Sequence, residues 1–178
     1  VIINEERPQL TKHLATRFKE KIGQNVNLLG EVVLGNEEAD HRYHHYLEAL
    51  ESPDINYISV KISGIYAQTH ALNYEESFPE LVSRMSALYQ KAIDFPYTDE
   101  DGIKRSKFIN LDMEEYKDAH FTLRLFKAVL NLPQFKNYSA GIVVQAYLPD
   151  AYDFQTELLE FAKARVDGGG APIKMRLV

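Results

Sequence analysis

Four short segments of the chain alternate apolar and polar positions: YISVKIS, FINLDME, IVVQAY and IKMRLV. Their apolar sets are Ile58, Val60 and Ile62; Ile109, Leu111 and Met113; Ile142, Val144 and Ala146; and Ile173, Met175 and Leu177. The opposite positions hold Lys61, Asp112, Gln145 and Arg176, each near the end of its segment. Alternation of this length predicts a β-strand with one face turned to a core. Under a helix cover on both faces, such charges would cost several kcal/mol each without partners. Converging at the mouth of a barrel, they can pair with one another and with a ligand.

Between the strands the period changes to that of a helix. Leu10, Leu14, Phe18 and Ile22 predict an amphipathic helix over 7–23. A strand is expected over 26–34 (VNLLGEVVL), then a helix over 37–51 on Ala39, Tyr43, Tyr46, Leu47 and Leu50, with Asn36 as its N-cap. The second strand is placed at 57–63 and the next helix at 74–93, on Phe78, Leu81, Val82, Met85, Leu88 and Tyr89. Residues 94–106 are polar and turn-rich and read as a long loop. Strand three (107–113) precedes a helix over 115–131 on Ala119, Leu123, Phe126 and Leu130. Strand four (141–147) precedes a helix over 152–166 on Phe154, Leu158, Phe161 and Ala162. Gly168, Gly169 and Gly170 end that helix and lead into strand five at 172–178.

One helix followed by alternating strands and helices predicts a parallel sheet with right-handed crossovers. A doubly wound five-stranded sheet would be complete at this length, whereas a (βα)8 barrel needs about 250 residues. Two features favour the barrel: the polar positions recur strand after strand, and the chain stops on a bare strand. The expected fold is therefore α/β, a truncated (βα)8 TIM-like barrel with about five strands and four helices after an N-terminal helix. The first residue, Val1, reads as the start of a processed chain or of a piece cut from a longer one.

Composition narrows the function classes. With 178 residues and 45% hydrophobic content, the chain fits one globular domain. No apolar run approaches the roughly 20 residues of a membrane span. A net charge of −6 argues against a nucleic-acid footprint. Zero Cys excludes disulfides and thiolate chemistry, and fits a reducing compartment.

Barrel enzymes work at the C-terminal ends of their strands. Lys61, Asp112, Gln145, Tyr147 and Arg176 are placed there, and Glu31 belongs to strand one. Each also has a plain alternative. Lys61 and Asp112 suit a structural ion pair, Arg176 a counter-ion for Asp112, and Gln145 a partner for buried backbone groups. Tyr147 suits a core ring and Glu31 a solvated carboxylate. His41 and His45 lie four apart, a metal-binding spacing, but on a polar helix face that reads as solvated, so no metal site is expected. The triple glycine precedes a strand rather than a helix, so it reads as a turn and not a phosphate cradle.

Five segments carry a resemblance: LLGEVVL, YISVKIS, FINLDMEEY, AGIVVQAYLPD and GGAPIKMRLV. In this order and spacing they resemble the proline dehydrogenase domain of the bifunctional proline utilization A flavoenzymes, over nearly all of 24–178. LDMEEY and VVQAYLPD resemble the branch fused to an NAD-dependent aldehyde dehydrogenase acting on glutamate semialdehyde. The resemblance implies a distorted (βα)8 barrel holding FAD. It implies oxidation of L-proline to Δ1-pyrroline-5-carboxylate, with hydride passing to the flavin and a membrane quinone as final acceptor. Residues 1–25 become a helical lead-in and 26–178 the first part of the barrel.

Site residues follow position by position. Lys61 resembles a lysine that helps bind the substrate carboxylate, and Asp112 the aspartate of the third strand. Gln145 and Tyr147 resemble fourth-strand residues beside the flavin, Arg176 an arginine near its reactive edge, and Val178 a flavin-contacting valine. Glu31 resembles a carboxylate that gates the site. The implied location is cytoplasmic, with room for peripheral association at the inner membrane face and for an oligomer. The segments that complete the site lie beyond Val178 in the family, so this chain alone is expected to be inactive. Two other classes stay open: another barrel enzyme, such as an aldolase using Lys61 as a Schiff base, and a non-catalytic α/β binding module.

Overall fold

In the computed structural model, residues 7–27, 35–66 and 74–178 are described. Glu31 and most of the expected first strand lie outside them. The described elements are α1 (Arg7–Lys19), β1 (Val26–Asn27), α2 (Asn36–Glu51), β2 (Tyr57–Val60), α3 (Tyr74–Asp94), β3 (Tyr97–Thr98), β4 (Lys104–Arg105), β5 (Phe108–Leu111), α4 (Ala119–Leu130), β6 (Gly141–Val144), α5 (Ala151–Asp167) and β7 (Lys174–Leu177).

Five strands form one sheet in the order β1-β2-β5-β6-β7, and every neighbouring pair is parallel. That order follows the chain without reversal. A doubly wound sheet reverses strand order at a switch point; a TIM-like barrel does not. Right-handed crossovers between sequential strands put every helix on one face. Accordingly α2, α3, α4 and α5 pack side by side in chain order. The fold is the opening five strands of a TIM-like barrel, as the alternating pattern predicts.

The helix stripes explain the core. Ala39, Tyr46 and Leu50 of α2, Leu81, Met85, Leu88 and Tyr89 of α3, and Ala119, Leu123, Phe126 and Leu130 of α4 are all buried. They cover Ile58, Val60, Ile109, Leu111, Ile142 and Val144, the apolar strand positions. Burying each such side chain contributes about 1.5–3 kcal/mol, so this interface outweighs any single hydrogen bond at the strand ends.

Several boundaries differ from the sequence expectation. The first helix ends at Lys19 rather than residue 23. Lys21 takes a left-handed conformation (φ 59°) and the Ile22 N–H returns to the Arg17 carbonyl at 3.0 Å. Leu14 is buried, but Phe18 and Ile22 are exposed, so the stripe is only half used. The N-cap of α2 is Gly35, not Asn36. The 94–106 loop holds a small antiparallel hairpin of β3 and β4. Its turn is closed by the Asp99 carboxylate, which accepts the Asp101 and Ile103 N–H groups at 3.0 and 2.9 Å and pairs with Arg105. Gly102 supplies the required left-handed residue (φ 77°).

The strands are shorter than their apolar patterns, because each leaves the ladder at its C-terminal end. After β2 the chain enters a single 3-10 turn, Ile62–Gly64. After β5 it leads to another, Tyr116–Asp118. Lys61, Asp112 and Gln145 are each the first residue past their strand.

Candidate active site

The strand ends bring a charged pair together across one intervening strand. Leu111 is paired with Ile142, and Val143 with Arg176. One step beyond Leu111, Asp112 therefore stands beside Val143. The Arg176 side chain crosses β6 at this level, and its Nη2 donates to Asp112 Oδ1 at 3.2 Å. Two more donors reach the same oxygen: Asn110 Nδ2 at 2.8 Å and Ser59 Oγ at 3.2 Å. Asn25 Nδ2 donates to Ser59 Oγ at 2.8 Å and extends the network to the segment before β1.

Solvation differs sharply along this network. Ser59, Asn110 and Asp112 are buried, whereas the Arg176 side chain is 45% exposed. Three donors on one buried carboxylate oxygen offset the cost of taking the charge out of water. Among the described residues, Arg176 spends one nitrogen on Asp112 and leaves its other donors without protein partners. A guanidinium held at one corner and open at the others suits an anionic or electron-rich ligand. Gly141 makes the arrangement possible, because a Cβ there would lie 2.6 Å from Asn110 Oδ1.

The other expected residues distribute around this pair. Val60 pairs with Leu111, so Lys61 follows β2 at the level of Asp112. No Lys61–Asp112 ion pair forms; Arg176 is the counter-ion instead. Lys61 is half-buried, and its side chain has no hydrogen-bond or ion-pair partner among the described residues. Gln145 is not level with the pair. Val144 is paired with Leu177, which sets Gln145 beside Val178, two residues beyond the Asp112–Arg176 row. Its Nε2 donates to the backbone carbonyls of Glu114 at 3.0 Å and Met113 at 3.4 Å. Tyr147 is 73% exposed rather than a core ring, and Val178 is also exposed. The Ala146 N–H donates to the Val178 carbonyl at 2.8 Å. Glu31 lies outside the described residues.

Ser59, Asn110 and Asn25 complete the network around Asp112, and Glu114 bonds the turn after β2; none was among the residues singled out from sequence. The signal for two of them was available. A step of two along a strand keeps the same face, so Ser59 shares a face with Lys61, and Asn110 with Asp112. The His41 and His45 rings lie side by side on α2, centroids 4.3 Å apart and planes tilted by 48°. The glycine turn behaves as the sequence suggests: Gly168 caps α5, and Gly169 is left-handed at φ 73°.

No helix among the described residues is long and apolar enough to cross a membrane. No curated protein matches the chain. Among solved structures, proline utilization A from Corynebacterium freiburgense is 40% identical with a TM-score of 0.89, over all of this chain. The protein from Bdellovibrio bacteriovorus, solved after inactivation by N-propargylglycine, is 30% identical over 94% of the chain with a TM-score of 0.77. A variant of the Bradyrhizobium japonicum protein, 24% identical over 86% with a TM-score of 0.71, shares the fold. The chain spans 18%, 18% and 16% of these three proteins. The sequence pattern of the proline dehydrogenase family matches residues 10–178, and the chain belongs to that family.

Proposed function

We propose that this chain forms the first part of a flavin-dependent barrel that oxidises L-proline to Δ1-pyrroline-5-carboxylate. The observation that carries the proposal is the Asp112–Arg176 pair, held at the strand ends by Asn110 and Ser59. Family membership favours this reading over an aldolase or a binding module. On the same reading, residues 1–25 are a lead-in and the barrel begins at 26.

The donor set fits a flavin. Arg176, Gln145, Tyr147, Val178 and Asp112 would hold it, with FAD as the expected form. Bound there, it would supply the two-electron acceptor that no side chain can provide. The chain's own residues do the rest. Arg176 would offer such a group a cation, and a cation beside it would favour the more negative, reduced form. Asp112 holds that guanidinium in place and neutralises it while the site is empty of substrate. Lys61 offers an ammonium to the substrate carboxylate as a point charge. Glu31 is assigned a gating role. A quinone as final acceptor, an oligomer and a cytoplasmic site at the inner membrane face belong to the same proposal. So does an NAD-dependent aldehyde dehydrogenase outside this chain.

The test is the absorbance spectrum of the full-length protein, recorded anaerobically before and after L-proline. Flavin bands that bleach on addition are the expected result. A folded, colourless protein that takes up no added FAD would refute the proposal.

A further inference from the structure

Glu114 joins two strand ends at the barrel mouth. Its carboxylate takes both polar groups of Ser63: Oε2 accepts the Ser63 N–H at 3.0 Å and Oε1 accepts the Ser63 hydroxyl at 2.8 Å. Its backbone carbonyl accepts from Gln145 at 3.0 Å. Glu114, the third residue past β5, thus ties down both the turn that follows β2 and the end of β6.

The turn it holds carries Lys61. Ser63 lies in the 3-10 turn Ile62–Gly64, closed by the Gly64 N–H on the Lys61 carbonyl at 3.0 Å. Beneath it, the Lys61 backbone N–H donates to the Tyr46 phenol oxygen at 3.5 Å. A Cβ on Gly64 would meet that phenol oxygen at 2.8 Å, so the turn already rests against α2. The two hydrogen bonds to the Glu114 carboxylate fix the turn from the side as well. The Lys61 ammonium has no partner among the described residues. Its place is therefore set through its backbone, and its backbone is set by Glu114 and Tyr46.

We propose that Glu114 is a positioning residue that holds Lys61 at the level of Asp112, and so sets affinity for the substrate carboxylate. The proposal rests on the proline dehydrogenase reading for the identity of the substrate, but the tie itself does not.

The experiment compares Glu114→Ala, Glu114→Gln and Ser63→Ala in the full-length protein. Amide hydrogen exchange reads the tie. Calorimetry with tetrahydrofuran-2-carboxylate, the ring-oxygen isostere of proline, reads carboxylate affinity without turnover. In Glu114→Ala, exchange over 61–66 should accelerate about tenfold or more, with the end of β6 unchanged because its bond is to the backbone. The isostere Kd and the proline KM should rise about tenfold, with kcat within about threefold and flavin content unaltered. Glu114→Gln should stay near wild type, since its amide can serve both Ser63 groups, and Ser63→Ala should fall between. Unchanged exchange in Glu114→Ala overturns the proposal, as does faster exchange with an unchanged isostere Kd. A Gln variant as impaired as the Ala variant also overturns it. A wild type that neither binds the isostere nor oxidises proline refutes the substrate reading, while the exchange result still decides the tie.

Discussion

Asp112 receives donors from β2, β5 and β7, and only one of those donors carries charge. Replacing it with Asn keeps the shape but removes the counter-ion of Arg176. Hydrogen bonds to a charged group contribute about 1.5–3 kcal/mol each, so losing the charge should lower kcat/KM for proline by about 100-fold. The fold should survive, because Asn110 and Ser59 can still bond an amide oxygen. Steady-state kinetics and a thermal melt on Asp112→Asn check both halves; an unchanged kcat/KM would remove Asp112 from the site. Asp112 and Arg176 were legible in the sequence because a charge inside an apolar alternation has few harmless explanations. Ser59 and Asn110 share the face of these charges but do not stand out, because a small polar residue in a strand has many. The level of Gln145 was not legible either. A shared place within each strand segment does not reveal the stagger between strands, and that stagger sets Gln145 beyond the pair.

At the scale of elements, the helices were legible because their stripes bury against the sheet at helical spacing. Their ends were less so, as the early stop of α1 shows: Phe18 and Ile22 continue the period, yet Lys21 turns left-handed and both side chains stay exposed. The element that binds the far end of the molecule could not be read at all. Arg165, in the last turn of α5, looks in sequence like a solvated complement to the helix dipole. In the fold its guanidinium pairs with no acid among the described residues; it donates to five backbone carbonyls. Nε reaches Ala171 at 2.8 Å, Nη1 reaches Leu130 at 2.6 Å, and Nη2 reaches Lys136 at 2.9 Å, Tyr138 at 3.0 Å and Phe135. It thereby joins the end of α4, the turn before β6 and the loop before β7. Gly170 packs against it so closely that a Cβ would lie 3.0 Å from Arg165 Cγ, which explains the third glycine of the run. An ammonium has three donors and no planar fork. Arg165→Lys should therefore leave carbonyls unpaired and cost about 2–4 kcal/mol, read as a lower urea midpoint with an unchanged slope. A loss below about 0.5 kcal/mol, the size of an ordinary surface change, would show that water replaces these bonds.

At the scale of the whole molecule, chain-ordered parallel strands place every C-terminal end at one mouth and every N-terminal end at the opposite floor. The mouth gathers charge; the floor buries it. Lys107, just before β5, is 2% exposed and donates to the Ser52 carbonyl at the end of α2. Burial pulls its pKa down from 10.5 to about 8, against a weaker upward pull from Asp54. Close by in the floor, Tyr138 donates to the Lys107 carbonyl at 3.1 Å, and its ring lies 4.8 Å from that of Tyr89. Burial raises both phenols far above their ordinary value of 10.0. The two kinds of group act with opposite sign. Between about 8 and 10.5 the unfolded Lys107 still holds a proton that the folded one has released, so stability rises with pH. This contribution is complete above 10.5 and is lost as pH falls through about 8. Above 10.0 the unfolded tyrosines ionise while the folded ones stay neutral, so stability falls. The stability curve should therefore climb from about pH 8 and turn over near pH 10. At about 1.4 kcal/mol per pKa unit, the lysine contributes about 3 kcal/mol of that climb. Urea midpoints across this range give the curve, and Lys107→Met isolates its cause. The variant should lose the climb and keep the fall. If the climb persists without Lys107, the floor of the barrel is not where this pH dependence originates, and the buried ammonium is stabilised by its carbonyl as fully as by water.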